Sequence, residues 1–325
     1  MGLGSSDRRL LAVHAQGNNS RLGNMLILYI RLLRFAEDLG RVLSFPFAER
    51  SIGRLFHLDP PATDLDQDVT QALYARLLQT ADEAVGPGRD TATGERPDGK
   101  VHKIGLGLLN CHAIFARGSV DWAAFADAGG FACDGAIVLR DPFPFDLTGE
   151  TIDETLAAGK GILRPRADVF ALGMTQRQEH VPPDHLDLCL HIRQSDFRQW
   201  NQGRFWYDAE QIAWLIEALQ TVAALRPVSI TILSDAALPD TLHLPASVRF
   251  QHTTVEGDFA RLAAADIVLS YNSTFAKIAS LIGRHIFDRV TMNRVLGPSA
   301  NLPERFRDIC PDLIAFREQC KESPT

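Results

Sequence analysis

Four short stretches of the chain carry side chains able to bind an anion. In His191-Ile-Arg193-Gln194-Ser195-Asp196, His191 and Arg193 are two residues apart at the end of an apolar run. Alternate side chains of a strand share a face, so the pair would form a compact cationic, hydrogen-bonding edge. The planar fork of arginine suits phosphate oxygens. A local salt bridge between Arg193 and Asp196 explains the same residues equally well. Ser270-Tyr271-Asn272-Ser273-Thr274-Phe275 joins a second apolar run to a helical pattern. Backbone N–H groups and hydroxyls at a helix start can hold an anion, and the same residues also make an ordinary N-cap. Between Gly17 and Asn24, Gly17 and Gly23 permit close backbone approach and Arg21 can reach a phosphate or carboxylate; a plain turn with a helix cap is the alternative. Ser234-Asp235 follows a further apolar run, where Asp commonly opens a turn.

Other chemistries are absent or weakly marked. H-E-x-x-H and the Walker phosphate loop do not occur. Gly105-Leu-Gly107-Leu-Leu-Asn110 begins like a dinucleotide fingerprint but lacks its last glycine. No helix-spaced pair of carboxylates or histidines suggests a metal. Cys111, Cys133, Cys189, Cys310 and Cys320 form no C-x-x-C pair and are odd in number, which fits a reducing compartment. Among 325 residues, 33 Lys and Arg stand against 40 Asp and Glu, a formal charge of −7. That balance argues against coating nucleic acid, which needs a broad basic surface. It leaves room for one basic pocket. No apolar stretch reaches the ~20 residues of a membrane span, and no signal peptide is read at the N-terminus. Met-Gly-Leu-Gly-Ser-Ser only loosely matches a myristoylation pattern. A cytoplasmic location is therefore expected.

The elements that must position these residues read as alternating β and α. Leu10–His14 is a candidate buried strand, Leu22–Leu39 a helix stopped by Gly40, and Arg41–Phe45 a second strand. Residues 60–90 look partly helical, with Leu73, Leu77 and Leu78 on one face. Gly86–Lys100 is expected as an exposed loop, and Ala136–Leu139 as a strand. The polar stretch 176–184, with Pro182-Pro183, is the expected linker. Beyond it come a strand at Leu186–Ile192, a helix at Asp208–Leu225, and strands at Val228–Leu233 and Val248–His252. A short helix at Phe259–Ala264, a strand at Asp266–Ser270 and a helix from Ser273 to Ile282, ending at Gly283, complete the pattern. This predicts an α/β chain of two doubly wound halves, 1–181 and 182–325, with a ligand cleft beyond the strand ends. The last helix is a candidate to pack back on the first half.

In this order the motifs resemble the GDP-fucose-dependent fucosyltransferase superfamily, which includes bacterial α-1,2-, α-1,6- and protein O-fucosyltransferases. Asn19-Ser-Arg21-Leu-Gly23-Asn24-Met25 is similar to its N-terminal glycine–asparagine motif. His191-Ile-Arg193-Gln194-Ser195-Asp196-Phe197 resembles H-x-R-R-G-D, with Gln194 and Ser195 in place of the second arginine and the glycine. Ile232-Leu-Ser234-Asp235 resembles the strand ending in S/T-D. Asp258, followed by Ala265-Asp266 and Ser270-Tyr-Asn272-Ser273-Thr274-Phe275, resembles the donor-site segment.

The resemblance implies a GT-B-like fold of two Rossmann-like domains with parallel sheets facing a cleft. The first domain would serve the acceptor and the second the nucleotide sugar. Arg193 would hold the donor diphosphate and stabilise the leaving nucleoside diphosphate, and His191 would contact the nucleotide. Asp258 would accept from guanine, and Ser273 and Thr274 would bind phosphate, with Asp235 and Phe275 beside them. Arg21, Gly23 and Asn24 would close the site. Asp196 would act in catalysis or position Arg193. The aromatic stretch Phe197–Tyr207 offers Trp200 and Phe205 to an acceptor sugar, or else packs beneath a loop; Trp206 suits packing. The implied reaction is inverting, metal-independent transfer of fucose from GDP-fucose to a glycan, as in polysaccharide biosynthesis, with no further cofactor. The same fold with another nucleotide sugar, or a non-catalytic nucleotide- or glycan-binding relative, are the alternatives.

Overall fold

The computed structural model describes residues 10–14, 22–38, 40–45, 51–58, 101–106, 109–115, 137–140, 151–159, 162–195, 198–223, 227–271, 273–287 and 289–322. The expected helix at 60–90 and loop at 86–100 lie outside them. The first βαβ unit forms as its apolar runs predict: β1 (Leu10–His14), α1 (Leu22–Asp38) and β2 (Val42–Ser44). From Met25 to Leu33 every side chain of α1 is buried, Arg31 included. Arg31 is satisfied by donating from Nε to Thr155 Oγ1 at 2.9 Å. Gly40, at φ +61°, ends the helix. Arg41 N–H donates to Ala36 O (2.8 Å) and Gly40 N–H to Glu37 O (2.9 Å), a Schellman closure.

Further along come β3 (Phe56–Leu58), β4 (Val101–Leu106), β5 (Leu109–Phe115), β6 (Ile137–Arg140), α2 (Ile152–Gly159) and β7 (Leu163–Pro165). The sheet order is β2-β1-β6-β5-β4, and β3 pairs with β7 separately. All neighbours in the five-stranded sheet run parallel except β4, which pairs antiparallel with β5. Gly105 and Asn110 face each other in that antiparallel pair. The two ends of the incomplete dinucleotide fingerprint therefore lie on paired antiparallel strands, not on the strand and helix that flank a pyrophosphate-cradling turn.

The chain divides into two compact units, Met1–Arg164 and Pro165–Thr325. The stretch expected as a linker begins inside α3 (Ala167–His180). A Cβ on Gly173 would collide with the Ala260 carbonyl, so α3 lies tight against α5 (Val255–Ala263). That contact places α3 with the second unit, a relation that composition does not carry.

The second unit has β8 (Leu186–Ile192), α4 (Ala209–Ala223), β9 (Val228–Ser234), β10 (Val248–Gln251), β11 (Ile267–Ser270), α6 (Thr274–Ile286), β12 (Met292–Val295) and α7 (Leu302–Glu322). Its five strands are all parallel, in the order β10-β9-β8-β11-β12. All seven residues of β8 are buried, as a central parallel strand requires. Leu186, Leu188, Leu190 and Ile192 share a core with Ile212, Leu215 and Ile216 of α4 and with Phe306, Ile309 and Leu313 of α7. Each such side chain contributes about 1.5–3 kcal/mol by burial. The last helix thus packs within the second unit, with Phe306 edge-on to Trp214 at 5.8 Å.

Asp187 and Cys189 point to the opposite face of β8. There Arg261 holds Asp187 with two 2.6 Å hydrogen bonds, both residues fully buried. Arg177 and Arg289 hold Asp266 at 2.7 and 2.8 Å. This network ties α3 and α5 to the starting ends of β8 and β11. The opposite ends of those strands are left for the site. Helix α6 runs past Gly283 instead of stopping there, because the missing Cβ admits the Ala263 carbonyl of α5. Among the described residues, no helix is long and apolar enough to cross a membrane.

Candidate functional site

In the second sheet the chain winds outward from β8 in one direction and from β11 in the other. The crevice beyond the carboxyl ends of these two strands is the topological switch point, where open α/β sheets bind ligands. Arg193 follows β8 directly, and Tyr271 follows β11. Asp235 follows β9, on the other side of β8.

Asp235 gathers the loop that leaves β8. Its Oδ1 accepts from the N–H groups of Gln194 (2.7 Å) and Ser195 (3.2 Å). Its Oδ2 accepts from the Ser195 hydroxyl at 2.5 Å and lies 3.2 Å from Arg193 Nε. Burial alone would raise this carboxyl. The hydrogen bonds from Ser195 and Gln194 and the Arg193 charge outweigh burial and hold it below the usual value. Asp235 thus organises the loop and orients the arginine. Asp196, the partner considered for Arg193 from sequence, lies outside the described residues. So do Arg21 and Asn272.

His191 faces Ser270 in the parallel register of β8 and β11. Its ring centroid lies 5.6 Å from that of Phe275, which also meets Phe259 at 5.2 Å. Burial lowers the imidazole to about 4, with Asp235 opposing and Arg193 adding to the shift. The ring is therefore neutral at pH 7, with one N–H donor and one acceptor. The buried His191 Nδ1 and Ser270 Oγ have no hydrogen-bond partner among the described residues.

Ser273 caps α6, accepting from Ala276 N–H at 3.3 Å. The capping role considered from sequence is thus present. It satisfies one donor, while Thr274 and Phe275 begin a 13-residue helix whose first N–H groups have no intrahelical acceptor. Asp258, in the first turn of α5, accepts at Oδ1 from the Thr253 hydroxyl (2.7 Å) and N–H (3.3 Å). Burial raises its carboxyl, and the Thr253 bonds only partly offset that.

Phe205 packs against the core of the second unit, as the packing alternative expected, with the Arg204 guanidinium over its ring at 5.8 Å. Nothing is described of the Trp200 side chain; its backbone opens a 3₁₀ turn, Trp200–Gly203. Trp206 is also partly packed on the core, yet it lines a groove of about 1100 Å³ with Gln194, Arg198, Asp208, Glu210 and His243. Arg198 stands over the Trp206 ring at 5.6 Å. Gln194 donates from Nε2 to the Tyr207 carbonyl at 3.0 Å, so its side chain is committed to the loop. In the first unit, Gly23 is buried in the opening turn of α1, and Asn24 beside it has a buried Oδ1 without a partner among the described residues.

His191, Arg193, Asp235, Ser273, Thr274 and Phe275 are expected at strand ends and a helix start of one sheet, and the structure brings them to one end of the second unit. No role is expected there for Tyr271, and Tyr207 enters only as the last residue of the aromatic stretch Phe197–Tyr207; both are fully buried behind that end. The signals in the sequence are an aromatic residue inside the Ser270–Phe275 motif and another at the end of that aromatic stretch.

No protein-family model matches the chain, and no curated protein matches it. Solved structures do. POFUT1 in complex with GDP-fucose aligns with a TM-score of 0.53 at 15% identity, covering 90% of this chain and 99% of that one. POFUT1 in complex with GDP aligns at 0.50 and 13%, with 90% and 99% covered. The fucosyltransferase NodZ from Bradyrhizobium aligns at 0.47 and 15%, with 84% and 93% covered. At such identities the POFUT1 likeness establishes shared architecture: the two α/β units of this chain have the GT-B-type fold of these fucosyltransferase structures.

Proposed function

We propose that the chain is a glycosyltransferase that moves fucose from GDP-fucose to a glycan acceptor, inverting the anomeric carbon without a metal ion. The observation that carries this reading is the placement of Arg193, held by Asp235 at 3.2 Å, after β8 and of the α6 N-terminus after the adjoining strand β11, at the switch point. Departure of a nucleoside diphosphate builds negative charge on the β-phosphate. A preoriented guanidinium and unpaired helix N–H groups stabilise that charge electrostatically. A neutral His191 beside them supplies a further hydrogen bond without repelling Arg193. The fold shared with POFUT1 in its GDP and GDP-fucose complexes supports the choice of donor. Asp258, half-engaged by Thr253, keeps Oδ2 for the N–H edge of guanine. The groove beside Gln194, walled by Trp206 and two carboxylates, suits a sugar ring and is the place we assign to the acceptor.

A second reading is a nucleotide-binding protein without turnover. The observation favouring it is the Gln194 side chain, neutral and tied to the Tyr207 carbonyl where the resembled motif has arginine. GDP-fucose hydrolysis and transfer, measured in EDTA, separate the two. Turnover that persists in EDTA and falls about 10²–10³-fold in Arg193→Ala supports the transferase. Tight GDP binding with no turnover of any GDP-sugar supports the binder, and no binding of GDP would sink both.

A further inference from the structure

Arg193 is held at two points by two different strands. Its guanidinium meets Asp235 of the β9 end at 3.2 Å. Its backbone meets Tyr271 of the β11 end. Arg193 N–H donates to the Tyr271 oxygen at 2.6 Å, and the Tyr271 hydroxyl donates to the Arg193 carbonyl at 3.1 Å. One phenol oxygen thus satisfies both main-chain groups of the residue carrying the charge. The Tyr271 ring is fully buried and packs edge-on against Tyr207, with centroids 4.4 Å apart. Tyr207, fully buried too, is anchored by donating to the Gly297 carbonyl at 2.9 Å.

We infer that Tyr271 is a positioning residue: its hydroxyl clamps the Arg193 backbone across the β8–β11 switch point and so fixes the origin of the guanidinium. What Arg193 does there rests on the proposed function; the clamp itself rests on the two hydrogen bonds. Asp235 alone would not suffice. It holds the head of a long side chain, and a shift of the backbone moves the whole arc that head can reach. Burial, above all, raises the Tyr271 hydroxyl well beyond its ordinary range, so it remains a donor at every working pH. The ring packing explains why the site is aromatic. Only the hydroxyl explains why tyrosine and not phenylalanine stands there.

The test compares wild type, Tyr271→Phe, Arg193→Ala and the double variant. Tyr271→Phe keeps the ring and loses only the hydroxyl. Amide hydrogen exchange of the ligand-free proteins comes first. Arg193 N–H is expected to exchange at least tenfold faster in Tyr271→Phe, while Leu188 and Leu190 inside β8 stay protected. GDP affinity by calorimetry and kcat and KM for GDP-fucose hydrolysis come second. Tyr271→Phe is expected to lower kcat about tenfold with a smaller change in KM, and to cost less than twofold once Arg193 is alanine, because coupled residues lose their effect together. Unchanged protection of Arg193 N–H overturns the clamp. Equal losses in both backgrounds overturn it as well, as does loss of protection throughout β8, which would make Tyr271 a core residue only. Wild type that neither binds GDP nor turns over GDP-fucose refutes the proposed function instead, and the exchange result then decides the clamp alone.

Discussion

The His191 imidazole should set the acid limb of stability. Unfolded histidine titrates near 6.5, and burial in the folded chain lowers His191 to about 4. Between these values the unfolded state takes up a proton that the folded state refuses. Stability therefore falls as pH drops from 6.5 towards 4, and this group adds no pH dependence above 6.5. At about 1.4 kcal/mol per pH unit, the gap is worth roughly 3 kcal/mol. The perturbation is His191→Gln, which is neutral at every pH. The assay is urea unfolding of both proteins from pH 8 to pH 4, followed by tryptophan fluorescence; Trp200, Trp206 and Trp214 belong to the second unit. Wild type should lose roughly 3 kcal/mol more than the variant across the window. Asp235 does not confuse the comparison. Its carboxyl is held below 3.8, so its stabilisation is lost only as pH falls beneath the window, in both proteins alike. A stability difference between the two proteins that stays constant from pH 8 to pH 4 would instead place His191 in a hydrated, exchangeable environment.

Three further outcomes are expected from contacts described above. Asp258→Ala should weaken GDP binding by tenfold or more and leave UDP binding nearly unchanged, since only guanine offers adjacent N–H donors to a carboxylate; equal loss for both nucleotides, read by calorimetry, would remove Asp258 from base recognition. Wild-type GDP affinity should also rise with pH through the raised Asp258 titration, because guanine needs the ionised form, and Asp258→Asn should flatten that rise. Gly283→Ala should destabilise the chain by about 1–3 kcal/mol despite the roughly 1 kcal/mol gain in helix propensity, because the added methyl meets the Ala263 backbone carbonyl and not a yielding side chain. A raised melting temperature would show that α5 and α6 can separate at little cost.

Much of the second unit was legible as sequence. β8, β9, β11 and α4 are apolar or amphipathic runs bounded by polar residues, and their ends fall within a few residues of expectation. Gly40 stops its helix as its position suggests: its φ is positive and nothing packs where its Cβ would lie. Gly283 suggests a stop in the same way but lies inside α6. The two glycines look alike in sequence; they differ in whether a neighbouring helix presses on them. Polarity and two prolines suggest a linker at 176–184, but α3 is half-exposed and buries only a narrow strip, with Gly173 against α5 and Phe170 against Phe287.

Local chemistry by itself determined which residues could handle a diphosphate. Arginine, histidine and a capped helix start have donor properties that do not depend on the fold, and strand periodicity placed His191 and Arg193 on one face. Tertiary structure alone decided what each was paired with. Asp235 lies far from Arg193 along the chain and reaches it because β9 adjoins β8. Tyr271 lies farther still and reaches it because β11 adjoins the other side. Strand order is set by which apolar faces bury together, a property of the whole sheet that no short motif contains. Sequence therefore supplied the charge of the site, and the packing of three strands supplied its orientation.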